Sequence, residues 1–199
     1  ISACQTEGCT NAAALNYDEK ATIDNGTCQY ENGITLQMNV LVDDKLIEWN
    51  GKSYTNEAGN VYIPKRLQFY LSDIKIYYAS SLELKLADFH YFDAINNESF
   101  KLELADIAKG KVDSLTFVFG LRGALNQDDA LPNEIYNSNM QWPTPMGGGY
   151  HYMKFEGAYQ SLDGSQHNFN LHLGRLVNTD GTTDPSFKVS LAIADLEIG

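Results

Sequence analysis

Residues 140–157 read Met140-Gln-Trp-Pro-Thr-Pro-Met-Gly-Gly-Gly-Tyr-His-Tyr-Met-Lys-Phe-Glu-Gly157. Pro143 and Pro145 fix their own φ angles and favour extended conformations at Trp142 and Thr144, the residues that precede them. The three glycines that follow accept positive φ angles. Beyond them the residues alternate in the way that a β-strand requires. We therefore predict a rigid loop that holds Trp142 in a defined place and then enters a strand.

Alternation in this strand places every second side chain on the same face. The face predicted to point inward carries His151, Met153 and Phe155. The opposite face is predicted to carry Tyr150, Tyr152, Lys154 and Glu156. One interpretation is a soft metal site, because imidazole and sulfur ligands favour copper and zinc over calcium and magnesium. The alternative is a buried, hydrogen-bonded histidine beneath an aromatic loop.

A second histidine, His172, follows in the next strand, after a turn at Asp163-Gly164 that is typical of a hairpin. A hairpin centred on that turn pairs His172 with Phe155, on the same face as His151. The two histidines would then lie four residues apart along the strand, which is roughly 13 Å. Shared coordination would need a bulge or a longer turn to shift the register.

The composition restricts the class of protein. The 199 residues suffice for one domain with a full core, and the net charge is −12. Nucleic acids and anionic membrane surfaces attract basic proteins, so neither is an expected partner. The sequence contains no apolar run long enough for a membrane-spanning helix. Metal ions and soluble partners are consistent with this charge.

The first four residues, Ile1-Ser-Ala-Cys4, resemble the end of a bacterial lipoprotein signal sequence. In such proteins the cysteine is the lipidated first residue of the mature chain. The resemblance implies an exported periplasmic, outer-membrane or cell-surface lipoprotein that reaches the membrane only through its lipid anchor. The alternative is a stray cysteine near a tag.

Residues 8–30 resemble a small cysteine-bracketed repeat of exported bacterial surface proteins, with Gly-Cys at one end and Asp-x-Gly-x-Cys-x-Tyr at the other. The resemblance implies a disulfide between Cys9 and Cys28 in an oxidising compartment. Asp18 and Asp24 suggest a calcium site, with an unliganded acidic turn as the alternative. We assign residues 1–32 to the N-terminus and this spacer module.

From Gly33 onward the dominant pattern has period two, which predicts strands. Predicted strands include Ile34–Val42, Leu67–Tyr78, Leu82–Leu86, Phe100–Leu104, Leu115–Phe119, Tyr150–Tyr159, His167–Leu173 and Phe187–Ile193. Turn signals such as Asn50-Gly51, Asn96-Asn97 and Asp180-Gly181 separate them. Single helical turns are predicted only at Leu104–Lys109 and Asp128–Tyr136. Residues 33–199 are therefore predicted to form an all-β domain, an antiparallel sandwich with long irregular loops.

The usual enzyme signatures are absent from the sequence, including the serine elbow, the phosphate-binding loop and the His-Glu-x-x-His helix. Asp128 and Asp129 are interpreted as a solvated loop edge. We therefore expect that the protein is not an enzyme.

Several segments, in order, resemble the MbnP-like family. They are Tyr70–Ile76, Asp88–Asp93, Leu115–Leu121, Met140–Gly157 and Phe169–Gly174. The family is named after a periplasmic protein associated with methanobactin and includes copper-binding surface proteins. The resemblance implies that copper is held by histidine nitrogens beside a tryptophan. It also implies that this tryptophan is oxidised to kynurenine by a di-haem, peroxidase-like partner enzyme.

Trp142 matches the family tryptophan in its loop, and His172 matches the strand histidine best. His151 and His90 are further candidate ligands, while Met146 and Met153 are candidates for the surroundings of the site. Two hypotheses follow from the sequence. The first is a copper-binding protein for scavenging, storage or redox-associated work, and the second is an interaction or carbohydrate-facing sandwich without a metal.

Overall fold

A computed structural model describes residues 5–12, 14–49, 51–96, 100–175 and 187–198. The predicted lipidation site at Cys4 and the predicted turn at Asp180-Gly181 lie outside these residues.

Thirteen strands account for most of the described residues. They are β1 (Glu7–Gly8), β2 (Ile23–Asp24), β3 (Asn32–Gln37), β4 (Leu41–Val42), β5 (Lys45–Leu46), β6 (Tyr54–Thr55), β7 (Val61–Tyr78), β8 (Glu83–Asp93), β9 (Lys101–Ile107), β10 (Gly110–Phe119), β11 (His151–Gln160), β12 (Gln166–Gly174) and β13 (Phe187–Ile198). The helical elements of the described residues include one short helix, α1 (Ile135–Asn139), and 3-10 turns at Gly123–Leu125 and Thr144–Met146. The predicted all-β class is confirmed.

The long strand β7 is the centre of the main sheet. Its first half pairs with β11, which pairs in turn with β12, and its second half pairs with β10, which pairs with β13. β8 lies along the other edge of β7, and every one of these pairings is antiparallel. The apolar pattern of β7 changes phase between Leu71 and Ile74, where Asp73 has a φ of 51°. This change of phase marks an irregularity inside one strand, and the strand continues through it.

One face of the main sheet packs against the smaller sheet formed by β3 and β9. Phe69 and Phe92 stack at 4.9 Å between ring centroids, and Phe100, just before β9, meets both rings edge-on. Leu36 and Leu104 extend this core from the small sheet. The two packed layers confirm the predicted sandwich.

The opposite face of the main sheet is covered by the long segment 120–150. Tyr70 from β7 is fully buried there, together with Leu121, Leu131, Met140 and Tyr150. The Tyr70 hydroxyl donates a hydrogen bond of 2.6 Å to Asn137 Oδ1, and burial raises the pKa of Tyr70. The buried residues between this covering segment and the sheet therefore form a second, smaller core on the far side of the sheet.

Three local predictions are wrong. Residues 104–107 continue strand β9, because their backbone pairs with β3, and the predicted helical turn does not form. The predicted strand Ile34–Val42 is divided into β3 and β4. Thr144 begins a 3-10 turn, where it was expected to be extended.

The N-terminal module contains the predicted disulfide between Cys9 and Cys28. Asp18 accepts a hydrogen bond from the Lys20 amide at 2.9 Å, and Asp24 accepts one from the Gly26 amide at 2.9 Å. Both carboxylates therefore shape turns of the chain, and calcium binding stays a prediction. None of the helices in the described ranges has the length and apolar character needed to cross a bilayer.

We expect Gly157→Ala to destabilise the fold. A Cβ at this position of β11 would overlap the Ile63 carbonyl oxygen and would lie 2.6 Å from the Phe169 ring. The backbone of the adjacent strand cannot shift without disturbing the pairing of the sheet. The free energy of unfolding should therefore fall by about 3 kcal/mol. Urea denaturation measures this change. Gln160→Ala, at the exposed end of the same strand, should stay within about 0.5 kcal/mol of the parent, and equal losses would contradict the explanation.

Candidate functional site

The hairpin of β11 and β12 sets the register of the site. The last pair is Gln160 with Gln166, and the Ser161 amide bonds to the Ser165 carbonyl at 2.8 Å. The loop closes with Gly164 at a φ of 84°, as three-residue hairpin loops do. His172 therefore pairs with Lys154 and not with Phe155, one position away from the predicted register.

An irregularity at Tyr152 changes the phase of β11. Met153 pairs with Leu173, but His151 pairs with Gly174, so the register shifts between them. Since directly opposed residues share a face, His151 lies on the same face as His172 and Lys154. The predicted face assignment, which separated His151 from Lys154 and Glu156, is wrong for this reason. The bulge and the hairpin register each bring His151 one residue closer to His172, so the separation along the strand falls from the predicted four residues to two.

Three aromatic rings meet on this face. The ring centroids of His151 and His172 are 4.9 Å apart, with an angle of 89° between the ring planes. Trp142 meets His151 at 4.7 Å and 86°. The structure thus brings together Trp142, His151 and His172, and the bulge removes the separation that simple alternation predicts.

Trp142 is held by its backbone and by its indole nitrogen. Its amide donates to the Gly149 carbonyl at 2.8 Å, and its indole N–H donates to the Met146 carbonyl at 3.1 Å. The ring is 8% exposed and lies flat against Gly174, where a Cβ would be 2.5 Å from indole Cε3. The predicted rigid loop around Trp142 is confirmed.

Polar side chains from outside the loop fix its C-terminal end. Asn126 accepts from the Tyr150 amide at 2.9 Å and donates to the Tyr152 hydroxyl at 3.2 Å. Asp128 is exposed, as predicted for a solvated loop edge, and its carboxylate also accepts a hydrogen bond from the Gly149 amide. Arg175 donates to the carbonyls of Asn126, at 3.2 Å, and Gly147. Sequence analysis missed these anchors, because nothing in their spacing connects them to residues 140–150.

Both histidines hydrogen bond to an acceptor on the protein. His151 Nδ1 lies 3.0 Å from the Met140 carbonyl oxygen, and His172 Nε2 lies 2.8 Å from Glu156 Oε1. A carbonyl and a carboxylate can only accept, so each of these ring nitrogens carries the proton. His151 Nε2 and His172 Nδ1 are then the nitrogens with lone pairs in the neutral rings.

The electrostatics of the site favour a neutral His151. Burial, followed by the neighbouring charges of His172 and Lys154, lowers the pKa of His151. Burial alone would raise the pKa of Glu156, but the His172 hydrogen bond and the charges of Arg66 and Lys154 lower it. The pKa values of both groups are lower in the folded state than in the unfolded state. Both groups therefore stabilise the fold when the pH is above their unfolded-state pKa values, and this stabilisation is lost as the pH falls through the folded-state pKa values.

The remaining predicted site residues lie elsewhere. His90 pairs with Leu71 and contacts Phe92 at 4.6 Å, on the sheet face opposite to His151. Met153 pairs with Phe69 on that same core face, and the side chain of Met146 is 45% exposed. Among the described residues no three His, Cys, Asp or Glu side chains are grouped as a metal site. The site therefore consists of two histidines with an adjoining tryptophan.

The comparisons with known proteins agree with this arrangement of strands and loop. A family model described as MbnP matches residues 31–197. The chain belongs to the MbnP family. The solved structure of MbnP from Methylosinus trichosporium has a TM-score of 0.58 and 13% sequence identity, covering 80% of this chain and 70% of that one. At this identity the likeness to that structure shows a shared fold. None of the curated proteins is significantly similar.

Membership of the MbnP family confirms the resemblance inferred from the Trp142 loop and the His172 strand. Family membership suggests a methanobactin-associated, copper-related protein. It also agrees with the expected extracellular or periplasmic role of the domain. The ligands and the state of the tryptophan are matters for the proposal below.

We expect Gly174→Ala to displace Trp142 from its place against β12. The added Cβ would overlap the indole ring, which is pinned by its own hydrogen bond to Met146. Near-ultraviolet circular dichroism in a Trp49→Phe background, which isolates Trp142, should lose most of its tryptophan signal. The far-ultraviolet β signal should be kept. An unchanged near-ultraviolet spectrum would show that the ring does not depend on this contact.

Proposed function

We propose that this MbnP-family domain is an exported, lipid-anchored protein that binds copper through His151 and His172, beside Trp142. The observation that carries the proposal is the contact between the two imidazole rings on one face of the sheet. Two neighbouring imidazoles offer nitrogen ligands beneath a covering indole, and imidazole suits copper.

The hydrogen bonds of the two rings support metal binding. Histidine ligands generally donate their second N–H to a carbonyl or carboxylate, which fixes the tautomer and orients the ring. His151 does so with the Met140 carbonyl, and His172 does so with Glu156. In each ring the other nitrogen is left with a lone pair for the ion. A buried histidine kept only for packing would not need this arrangement twice on one face.

The burial and the protonation state of His151 also fit a metal ligand. His151 is 7% exposed and has a lowered pKa, so protons compete little with a metal for its nitrogen at neutral pH. Glu156 supplies a carboxylate next to His172. Arg66, at 3.2 Å from Glu156, balances part of that charge. When bound, copper would add its redox chemistry to the site, and the protein would supply two oriented imidazoles, of which His151 is buried and His172 is partly exposed.

The family resemblance supports a further part of the proposal, the oxidation of Trp142 to kynurenine by a di-haem, peroxidase-like partner. The indole ring touches His151, so a change in the ring alters the immediate surroundings of the ion. Trp142 is anchored by main-chain contacts, which would keep the modified residue in position. We infer no catalytic activity for the chain itself. Its proposed role is copper scavenging, storage or redox-associated transfer.

The copper proposal is tested by competition with a Cu(I) chelator under reducing conditions. His151→Ala and His172→Ala should each weaken Cu(I) affinity at least tenfold, because each removes one of two nitrogen donors. Trp142→Phe should keep the fold and weaken binding by a smaller factor. His90→Ala and His167→Ala are matched controls, because His90 lies on the other face and His167 is exposed near the hairpin turn. Unchanged affinity in both His151→Ala and His172→Ala would overturn the assignment.

The modifications are tested by intact mass measurement of protein expressed in its native host. Lipidation of Cys4 and oxidation of Trp142 each change the mass, and peptide mapping assigns each change to its residue. We expect the Trp142 change to disappear in Trp142→Phe and to persist in Trp49→Phe. An unmodified Trp142 in copper-loaded native protein would remove kynurenine from the proposal without affecting the histidine pair.

A further inference from the structure

A second site lies on the same face of the main sheet, beside the histidine pair. It is a cleft of about 660 Å³ between β8 and α1, and its lining includes Gln68, Tyr91, Asp93, Ile135, Tyr136 and Asn139. The pairing of strands places Asp93, Gln68, Lys154 and His172 in one row across the sheet. Gln68 and Asp93 belong to the cleft, and His172 belongs to the histidine pair.

Gln68 gives the cleft an unsatisfied acceptor. Its side chain is 9% exposed, and its amide nitrogen donates to Asp93 Oδ2 at 2.8 Å. Its amide oxygen is buried without a hydrogen-bond partner. The opposite orientation of the Gln68 amide would place its oxygen against the Asp93 carboxylate. A carboxylate can only accept hydrogen bonds, so that orientation would leave both groups without a bond to each other. A buried polar atom without a partner is costly and rare, which points to a donor from outside the chain.

The other walls favour a cation with an apolar body. Tyr91 and Tyr136 stack at 4.7 Å between ring centroids, and the neighbouring Ile135 is 79% exposed at the rim. Asp93 contributes a negative charge, and its oxygens accept hydrogen bonds from Gln68, from the Tyr91 hydroxyl and from the Ile95 amide. None of the described lining residues is a lysine or an arginine, and the nearby Lys154 ammonium donates to the Asn139 carbonyl at 3.2 Å. Aromatic faces, a carboxylate and an amide oxygen all attract N–H groups that carry positive charge.

We propose that this cleft binds an amidinium, guanidinium or alkylammonium group attached to an apolar or planar body. The charged group lies against Asp93 and reaches the Gln68 oxygen after a small rotation of that amide, whose terminal torsion is soft. The apolar body packs on Tyr136 and Ile135. The same chemistry is present in small amines and in an arginine side chain of a partner protein. The site stands independently of copper binding at the histidine pair.

Titration followed by ¹H–¹⁵N NMR tests the proposal with three probes. Benzamidine carries the charge and the planar body, and benzamide is its neutral counterpart with nearly the same shape. A Gly-Arg-Gly peptide represents the partner side chain. Benzamidine should saturate, should shift amide signals around Tyr91, Tyr136 and Asn139, and should bind at least tenfold more tightly than benzamide. Saturable binding of the peptide would indicate that the charged group comes from an arginine of a partner protein. If benzamidine binds and the peptide does not, the ligand is a small amine.

Variants separate the cleft from general attraction to an acidic surface. Asp93→Asn and Tyr136→Leu should each weaken benzamidine binding at least tenfold, and Tyr136→Leu carries the test if the Asp93 variant fails to fold. Tyr159→Ala, which removes a 41% exposed tyrosine of β11 outside the cleft, should have no effect. Equal affinities for benzamidine and benzamide, or shifts spread over the acidic surface, would overturn the proposal. Cu(I) affinity, measured in parallel, should be unchanged in Tyr136→Leu.

Discussion

The register shift at Tyr152 is the constraint on which the candidate site depends. A regular β11 would place His151 on the core face with Met153, whereas the extra residue turns it toward Lys154 and His172. The shift also moves the partner of His151 to Gly174, a residue without a side chain. Trp142 occupies the space that a side chain at Gly174 would fill. The bulge and the glycine together make room for Trp142 and His172 to contact His151.

The covering segment 120–150 packs on the sheet face that carries both proposed binding sites. Asn126, Asp128 and Arg175 hold its ends through main-chain hydrogen bonds. The same segment supplies the Met140 carbonyl that orients His151 and the Tyr136 ring that walls the cleft. The aromatic core between the sheets provides stability on the other side of β7. One strand, β7, therefore separates a structural face from a face that carries both proposed binding sites.

The alternation of apolar residues was sufficient to predict the sandwich and most strands, and the prolines and glycines of residues 143–149 predicted the Trp142 loop. Alternation also placed His151 on the core face with Met153, which is wrong. It failed at residues 151–153, since a bulge changes the phase without a clear signature in one sequence. The roles of Glu156, Asn126 and Arg175 could not be predicted, because their partners are 16 to 49 positions away and are set by register and loop path. His90 was a reasonable candidate by residue type, but β8 places it on the opposite face.

The most direct test of the account is a nuclear Overhauser measurement between ring protons of His151, His172 and Trp142 in the metal-free protein. The account predicts cross-peaks from His151 to both other rings, because their centroids are 4.9 and 4.7 Å away. A regular β11 would instead give cross-peaks from His151 to core residues around Met153 and none to His172. That second result would contradict the bulge, and with it the paired-histidine site.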